Sequence, residues 1–244
     1  MPAARPDDLR RKRRSGAHLA ARAPAAQRRA RARVHGCRVN APPRGRLLAF
    51  EGLDGSGKST QVAALLRALA AAGEDVVATR EPTDGPGGAR IREMARSGRL
   101  LPAEEELRWF VEDRRAHVRE RIAPALAAGR LVLTDRYFLS TVAYQGARGL
   151  DWRAILAASE AEFPIPDLVL LLEIDATRAL ERVRARGAGL EGVFEREERL
   201  RRVAAIFRAV ERPWIERIPA EAPAEAVHAA VVARVRARLG IALG

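Results

Sequence analysis

Nine consecutive residues carry the clearest chemistry in this sequence: Gly52-Leu53-Asp54-Gly55-Ser56-Gly57-Lys58-Ser59-Thr60, which fits the pattern G-x-x-x-x-G-K-S/T. Glycines let successive backbone N–H groups turn inward around phosphates, where a Cβ would block the approach. Lys58 is placed to reach the β- and γ-phosphates of a nucleoside triphosphate, and the Ser59 hydroxyl to ligate Mg²⁺. The chain uses 42 arginines but only two lysines, Lys12 and Lys58. A lysine kept at this one place in the domain marks a site that needs a compact ammonium, not a planar guanidinium. ATP and Mg²⁺ are therefore the expected ligands.

Three further groups of residues have types suited to the same chemistry. Asp135-Arg136-Tyr137 follows a short apolar run, with Thr141, Tyr144 and Gln145 close behind. Ligands of open parallel sheets bind beyond the carboxyl ends of strands, where Arg136 would clamp an acceptor phosphate. The alternative is that Asp135 and Arg136 cap a helix or form surface ion pairs. Phe110 and Arg114 lie four apart on a helical pattern and so share a face, suited to stacking and bonding a base. A core role for Phe110 and a structural or surface role for His117 are the competing readings. Arg182, Arg184 and Arg186 precede Gly187, Gly189 and Gly192. That suits a mobile lid, about 184–194, that brings positive charge to a phosphoryl group, or else a solvated helix end.

The elements that must position these residues alternate between strand and helix. Strands are expected at 46–50, 75–79, 131–134, 168–174 and 215–218. Helices are expected at 59–72, 89–97, 176–186, 194–210 and 222–238. The stretch 104–128 reads as one long helix with a kink or local break at Pro124. Apolar strands alternating with helices predict an α/β fold with a parallel sheet covered on both faces.

Composition bounds the function. The net charge of +13 resembles a nucleic-acid signature until it is localised. Residues 1–45 hold 13 Lys and Arg against only Asp7 and Asp8, which leaves 31 basic and 29 acidic residues in 46–244. The body is nearly neutral, and 1–45 reads as a basic, disordered extension ahead of a single domain at 46–244 that holds the phosphate loop. Nucleic acid is not expected as a partner except through that extension, and no membrane partner is expected. No apolar run approaches the length of a membrane span, and the single cysteine, Cys37, excludes an intrachain disulfide. A cytoplasmic location is expected.

Read together, FEGLDGSGKST, TREP, WFVEDRRAHV and DRYFLSTVAYQG resemble the thymidylate kinase family in order and spacing over most of 46–238. The resemblance implies the three-layer P-loop NTPase fold with a five-stranded parallel sheet, and a homodimer. It also implies transfer of the γ-phosphoryl group of Mg·ATP to dTMP, giving dTDP and so supplying dTTP for DNA synthesis. Residue by residue, it gives Phe110 the stacking face for thymine and Arg114 the bond to the base edge. Arg136 takes the dTMP phosphate, and Thr141 and Gln145 lie where the base is read. Tyr144 crowds the 2′ position. Asp54 positions the sugar or acceptor phosphate and Mg²⁺, with Asp135 reaching the metal through water. Glu81 and Pro82 belong to the acceptor loop. The catalytic set is then Lys58, Asp54 and Arg136, with the lid arginines 182, 184 and 186. Two departures bear on the acceptor: the family's REPGGT reads REPTDGPGG here, and Gly192-Val193 replace Asp-Arg before Phe194-Glu195. The rival readings are a kinase for another deoxynucleoside or nucleoside monophosphate, and a nucleotide-dependent nucleic-acid-binding protein.

Overall fold

The computed structural model of the protein describes residues 44–98, 101–185 and 193–243. Five strands form one all-parallel sheet: β1 (Arg46–Gly52), β2 (Val76–Arg80), β3 (Leu131–Asp135), β4 (Leu168–Glu173) and β5 (Ile215–Pro219), in the order β2-β3-β1-β4-β5. This is the expected three-layer α/β arrangement.

Strand periodicity divides the core. Leu47 and Ala49 of β1, with Val169 and Leu171 of β4, face one cluster, while Leu48, Phe50, Leu168, Leu170 and Leu172 face the other. The second cluster is closed by α1 (Lys58–Ala71) and α9 (Ala224–Leu239), through Leu65, Leu69, Val231 and Val235. The first is closed by α5 (Phe138–Gly146), α6 (Trp152–Glu162), α7 (Ala176–Arg184) and α8 (Val193–Ala209). Both faces of the central strands are buried, so they read in the sequence as unbroken apolar runs.

Three elements depart from expectation. The long helix is divided into α3 (Ala103–His117), a π-helical turn at Val118–Ile122 and α4 (Ala123–Ala127). Pro124 lies in the first turn of α4, where its missing N–H costs nothing, and the Ala123 N–H reaches back five residues to the Val118 carbonyl. Second, α2 (Pro86–Ser97) starts at Pro86 and runs through Gly87 and Gly88. Those glycines permit close packing: a Cβ on Gly88 would stand 1.9 Å from the Thr83 carbonyl oxygen. Third, α5 and α6 form where the sequence reading placed no element. Among the described residues, no helix is long and apolar enough to cross a membrane.

Candidate active site

The nine-residue motif forms a loop between β1 and α1. Gly52, Gly55 and Gly57 have φ of 137°, 88° and 96°, which L side chains rarely adopt. A Cβ on Gly52 would lie 2.5 Å from the Leu172 carbonyl oxygen, and one on Gly55 2.2 Å from that of Ala179. The loop is therefore wedged between the end of β4 and helix α7. No side chain caps α1, whose N-terminal residue is Lys58, so its first N–H groups face the loop.

Lys58 is buried, and its Nζ donates to the carbonyls of Gly52 (3.0 Å) and Leu53 (2.7 Å). Burial, aided by the Arg136 charge, pulls its amine down to about 7. Ser59 Oγ donates to Asp135 Oδ2 at 2.7 Å. A hydroxyl and a carboxylate side by side are hard oxygen donors that fit Mg²⁺ with substrate phosphates completing its shell.

Asp135 and Arg136 reach this loop because β3 lies directly beside β1, with Phe50 and Asp135 in register. Arg136 has φ 73°, an unusual value for a non-glycine residue. Its neighbours hold it there. Its N–H donates to the Phe50 carbonyl (2.9 Å), Nη1 to Ser140 Oγ (2.6 Å) and Nη2 to Asp54 Oδ1 (2.5 Å). Burial opposes the guanidinium charge, but Asp54, Tyr144, Glu51 and Asp135 more than offset it. Tyr144 exchanges hydrogen bonds with Asp54: the Asp54 N–H donates to the phenol at 3.1 Å, and the phenol donates to Oδ2 at 3.2 Å.

Helices α3 and α5 meet on the other side of Arg136. Arg114 is 1% exposed; its Nε and Nη2 donate to Glu81 Oε2 (2.9 and 2.5 Å), and Nη2 also donates to Thr141 Oγ1 (2.8 Å). Its Nη1 is buried without a partner. Gln145 Nε2 donates to Glu106 Oε1 at 2.9 Å, while its Oε1 is likewise buried and unpartnered. Phe110 is half-buried and belongs to neither core cluster, which disfavours the core reading. Pro82 closes the loop after Glu81, and its carbonyl accepts from Arg92 Nη1 at 3.0 Å.

One participant was not picked out from sequence. Glu51 is fully buried in β1, where its Oε1 accepts from the N–H groups of Tyr137 (2.8 Å) and Ser140 (3.0 Å) and its Oε2 accepts from Ser140 Oγ. It serves α5 as a capping carboxylate supplied from another element. Burial raises its pKa, against the pull of Arg136 and Ser140. His117, expected as structural or surface, is buried: Nδ1 lies 3.0 Å from Glu81 Oε1 and Nε2 2.7 Å from Thr79 Oγ1. Asp113 binds the departing REPTDG loop, accepting from Thr83 N at 2.8 Å and Thr83 Oγ1 at 2.5 Å. An acidic residue one step before Arg114, in a chain that spells Thr-Asp where the family has Gly-Gly, was the signal for that link.

A cleft of ≈ 140 Å³ is lined by Asp54, Lys58, Ser59, Arg80, Asp135 and Arg136, among others. A larger groove of ≈ 930 Å³ runs along β2 and α3 and shares Ser59, Arg80 and Asp135 with it. The expected lid arginines are not brought into the cleft. Arg182 instead donates to the carbonyls of Ala220 (3.0 Å) and Glu221 (3.3 Å), because the turn after β5 offers free carbonyls beside α7. Arg184 is half-buried, and Arg186 with most of the expected lid lies outside the described residues.

A family model described as thymidylate kinase matches residues 50–231. The chain belongs to the thymidylate kinase family. A thymidylate kinase of Akkermansia muciniphila is 48% identical over 179 residues, covering 73% of this chain and 85% of that protein. One from Xanthomonas campestris pv. campestris is 46% identical over 184 residues, covering 75% and 80%. One from Desulfotalea psychrophila is 44% identical over 176 residues, covering 72% and 87%. Membership makes the chain a nucleoside monophosphate kinase by family.

Proposed function

We propose that the protein transfers the γ-phosphoryl group of Mg·ATP to dTMP, giving dTDP and ADP. The observation that carries this reading is a pair of buried, unpartnered atoms on the contacting helices α3 and α5, the donor Arg114 Nη1 and the acceptor Gln145 Oε1. The edge of thymine offers a carbonyl acceptor and an N–H donor, so it would satisfy both, and leaving such groups unpaired is unfavourable. Phe110, on the Arg114 face and free of the core, is assigned the stacking surface.

Catalysis in this account is positioning and charge. Lys58 leaves the Gly52 and Leu53 carbonyls for the β- and γ-phosphates, and the loop N–H groups surround them. Ser59, with Asp135 through water, would hold Mg²⁺, which when bound neutralises charge across the phosphate oxygens. Arg136 turns from Asp54 toward the acceptor phosphate, and Tyr144, seated on Asp54, limits the space beside the sugar. The acceptor phosphate is largely ionised near neutral pH, so no strong general base is required. His117, bound between Glu81 and Thr79, is not called upon as one. Arg184 and Arg186 are assigned to the lid, while Arg182 is assigned to the turn after β5. A homodimer and a cytoplasmic location accompany the assignment, supported by the family resemblance.

An acceptor panel with Mg·ATP tests the reading. dTMP and dUMP should be phosphorylated, with kcat/KM at least about tenfold above that for UMP, since one misfit contact is worth on the order of 1–3 kcal/mol. Equal use of UMP, or turnover with bare thymidine alone, would contradict it.

A further inference from the structure

We infer that Arg80, at the carboxyl end of β2, is a further catalytic residue, contacting the transferring phosphoryl group after release from its resting partner Asp84. The inference rests on the proposed kinase reaction and adds to it the origin of a positive charge that the described lid residues do not supply. The β2–β3 register sets Arg80 beside Asp135, and the next N–H, that of Glu81, donates to the Asp135 carbonyl at 3.0 Å. Arg80 is thus fixed at its backbone next to the Ser59–Asp135 pair. Its side chain lines the ≈ 140 Å³ cleft together with Lys58 and Arg136.

The three cations of that cleft are held differently. Lys58 is buried on loop carbonyls, and Arg136 is 17% exposed and bound by Asp54 and Ser140. Arg80 is 59% exposed and pairs with the carboxylate of Asp84, itself 76% exposed, at 2.5 Å. An ion pair so open to water contributes little and is readily exchanged. Phosphate oxygens, which carry more charge than a carboxylate, would compete for the same guanidinium. Asp84 is not left alone by the exchange, because Arg92 Nη2 stands 3.7 Å from the same oxygen. The loop can therefore keep its place while Arg80 moves. Thr83, on the other side, remains tied to Asp113. The P-loop itself offers no second cation, since Gly55 and Ser56 occupy its variable positions.

A contact made chiefly in the transition state lowers kcat and kcat/KM together, whereas a ground-state contact raises KM. Steady-state kinetics of Arg80→Ala with Mg·ATP and dTMP should show kcat and kcat/KM(dTMP) falling by a similar factor, on the order of 10²–10³, with little change in KM. Arg80→Lys should recover part of the loss, since a point charge replaces the fork. Asp84→Asn, which removes only the resting partner, should retain kcat within about threefold. Thermal midpoints of all three should stay near that of the parent, which separates the effect from unfolding. If Arg80→Ala keeps kcat within about twofold, or only raises KM, the inference is overturned. If the parent enzyme phosphorylates no nucleoside monophosphate, the proposed function falls first and this inference with it.

Discussion

Lys58 illustrates how burial makes a residue serviceable. An ammonium enclosed by two carbonyls and close to Arg136 holds its proton only to about pH 7, while Asp54, Asp135 and Glu51 pull in the other direction. Phosphates arriving at the loop raise that value by adding negative charge. The sign follows from linkage: above pH 7 the free amine is neutral and the bound one charged, so binding takes up a proton. Affinity for Mg·ATP should weaken as pH rises from about 7, by up to roughly tenfold per unit. Titration calorimetry at pH 8 in two buffers of different ionisation enthalpy should report an uptake approaching about one proton. No uptake would mean that the amine is already charged in the empty cleft. The motif made Lys58 legible; its depressed pKa was not, because it depends first on burial within the folded loop and then on Arg136 arriving at the end of another strand.

At the scale of elements, the site depends on β1 and α5 being locked together. Glu51 accepts three hydrogen bonds at the start of α5, and its removal leaves the buried Tyr137 N–H and the part-buried Ser140 N–H and Oγ without that partner. Glu51→Ala should lower unfolding free energy by about 2–4 kcal/mol, and Glu51→Gln by less, because burial already disfavours the carboxylate charge. Urea unfolding followed by circular dichroism would measure both; a change below about 0.5 kcal/mol for the alanine variant would refute the locking role. This element is also where the sequence was least informative. Helix α5 buries Phe138, Leu139, Thr141, Val142, Ala143 and Gln145, so it has no single apolar stripe to recognise. Strands β1, β3 and β4 were legible because both their faces are covered. The division of 104–128 was not, since a π turn keeps the same residue types and shifts only the hydrogen-bond register. Asp151, which caps α6 by accepting from Arg153 N and Ala154 N, was a readable start signal.

For the whole molecule, strand order decides what the motifs can do together. Residues 52–60 and 135–136 are about eighty positions apart in the chain and meet because β3 inserts between β2 and β1. The sheet class was legible from alternation, while this order was not. The charge argument divides likewise. The near-neutral body is the folded kinase, whereas the basic reading of 1–45 lies almost wholly outside the described residues and rests on composition alone. The central claim is that a loop of backbone amides with one buried ammonium holds the triphosphate for transfer. The most direct test is single-turnover formation of dTDP from Mg·ATP and dTMP by Lys58→Ala, with its thermal unfolding measured in parallel. The account predicts a folded protein whose transfer rate falls by at least about 10³. Transfer at close to the parent rate by a folded Lys58→Ala would contradict it.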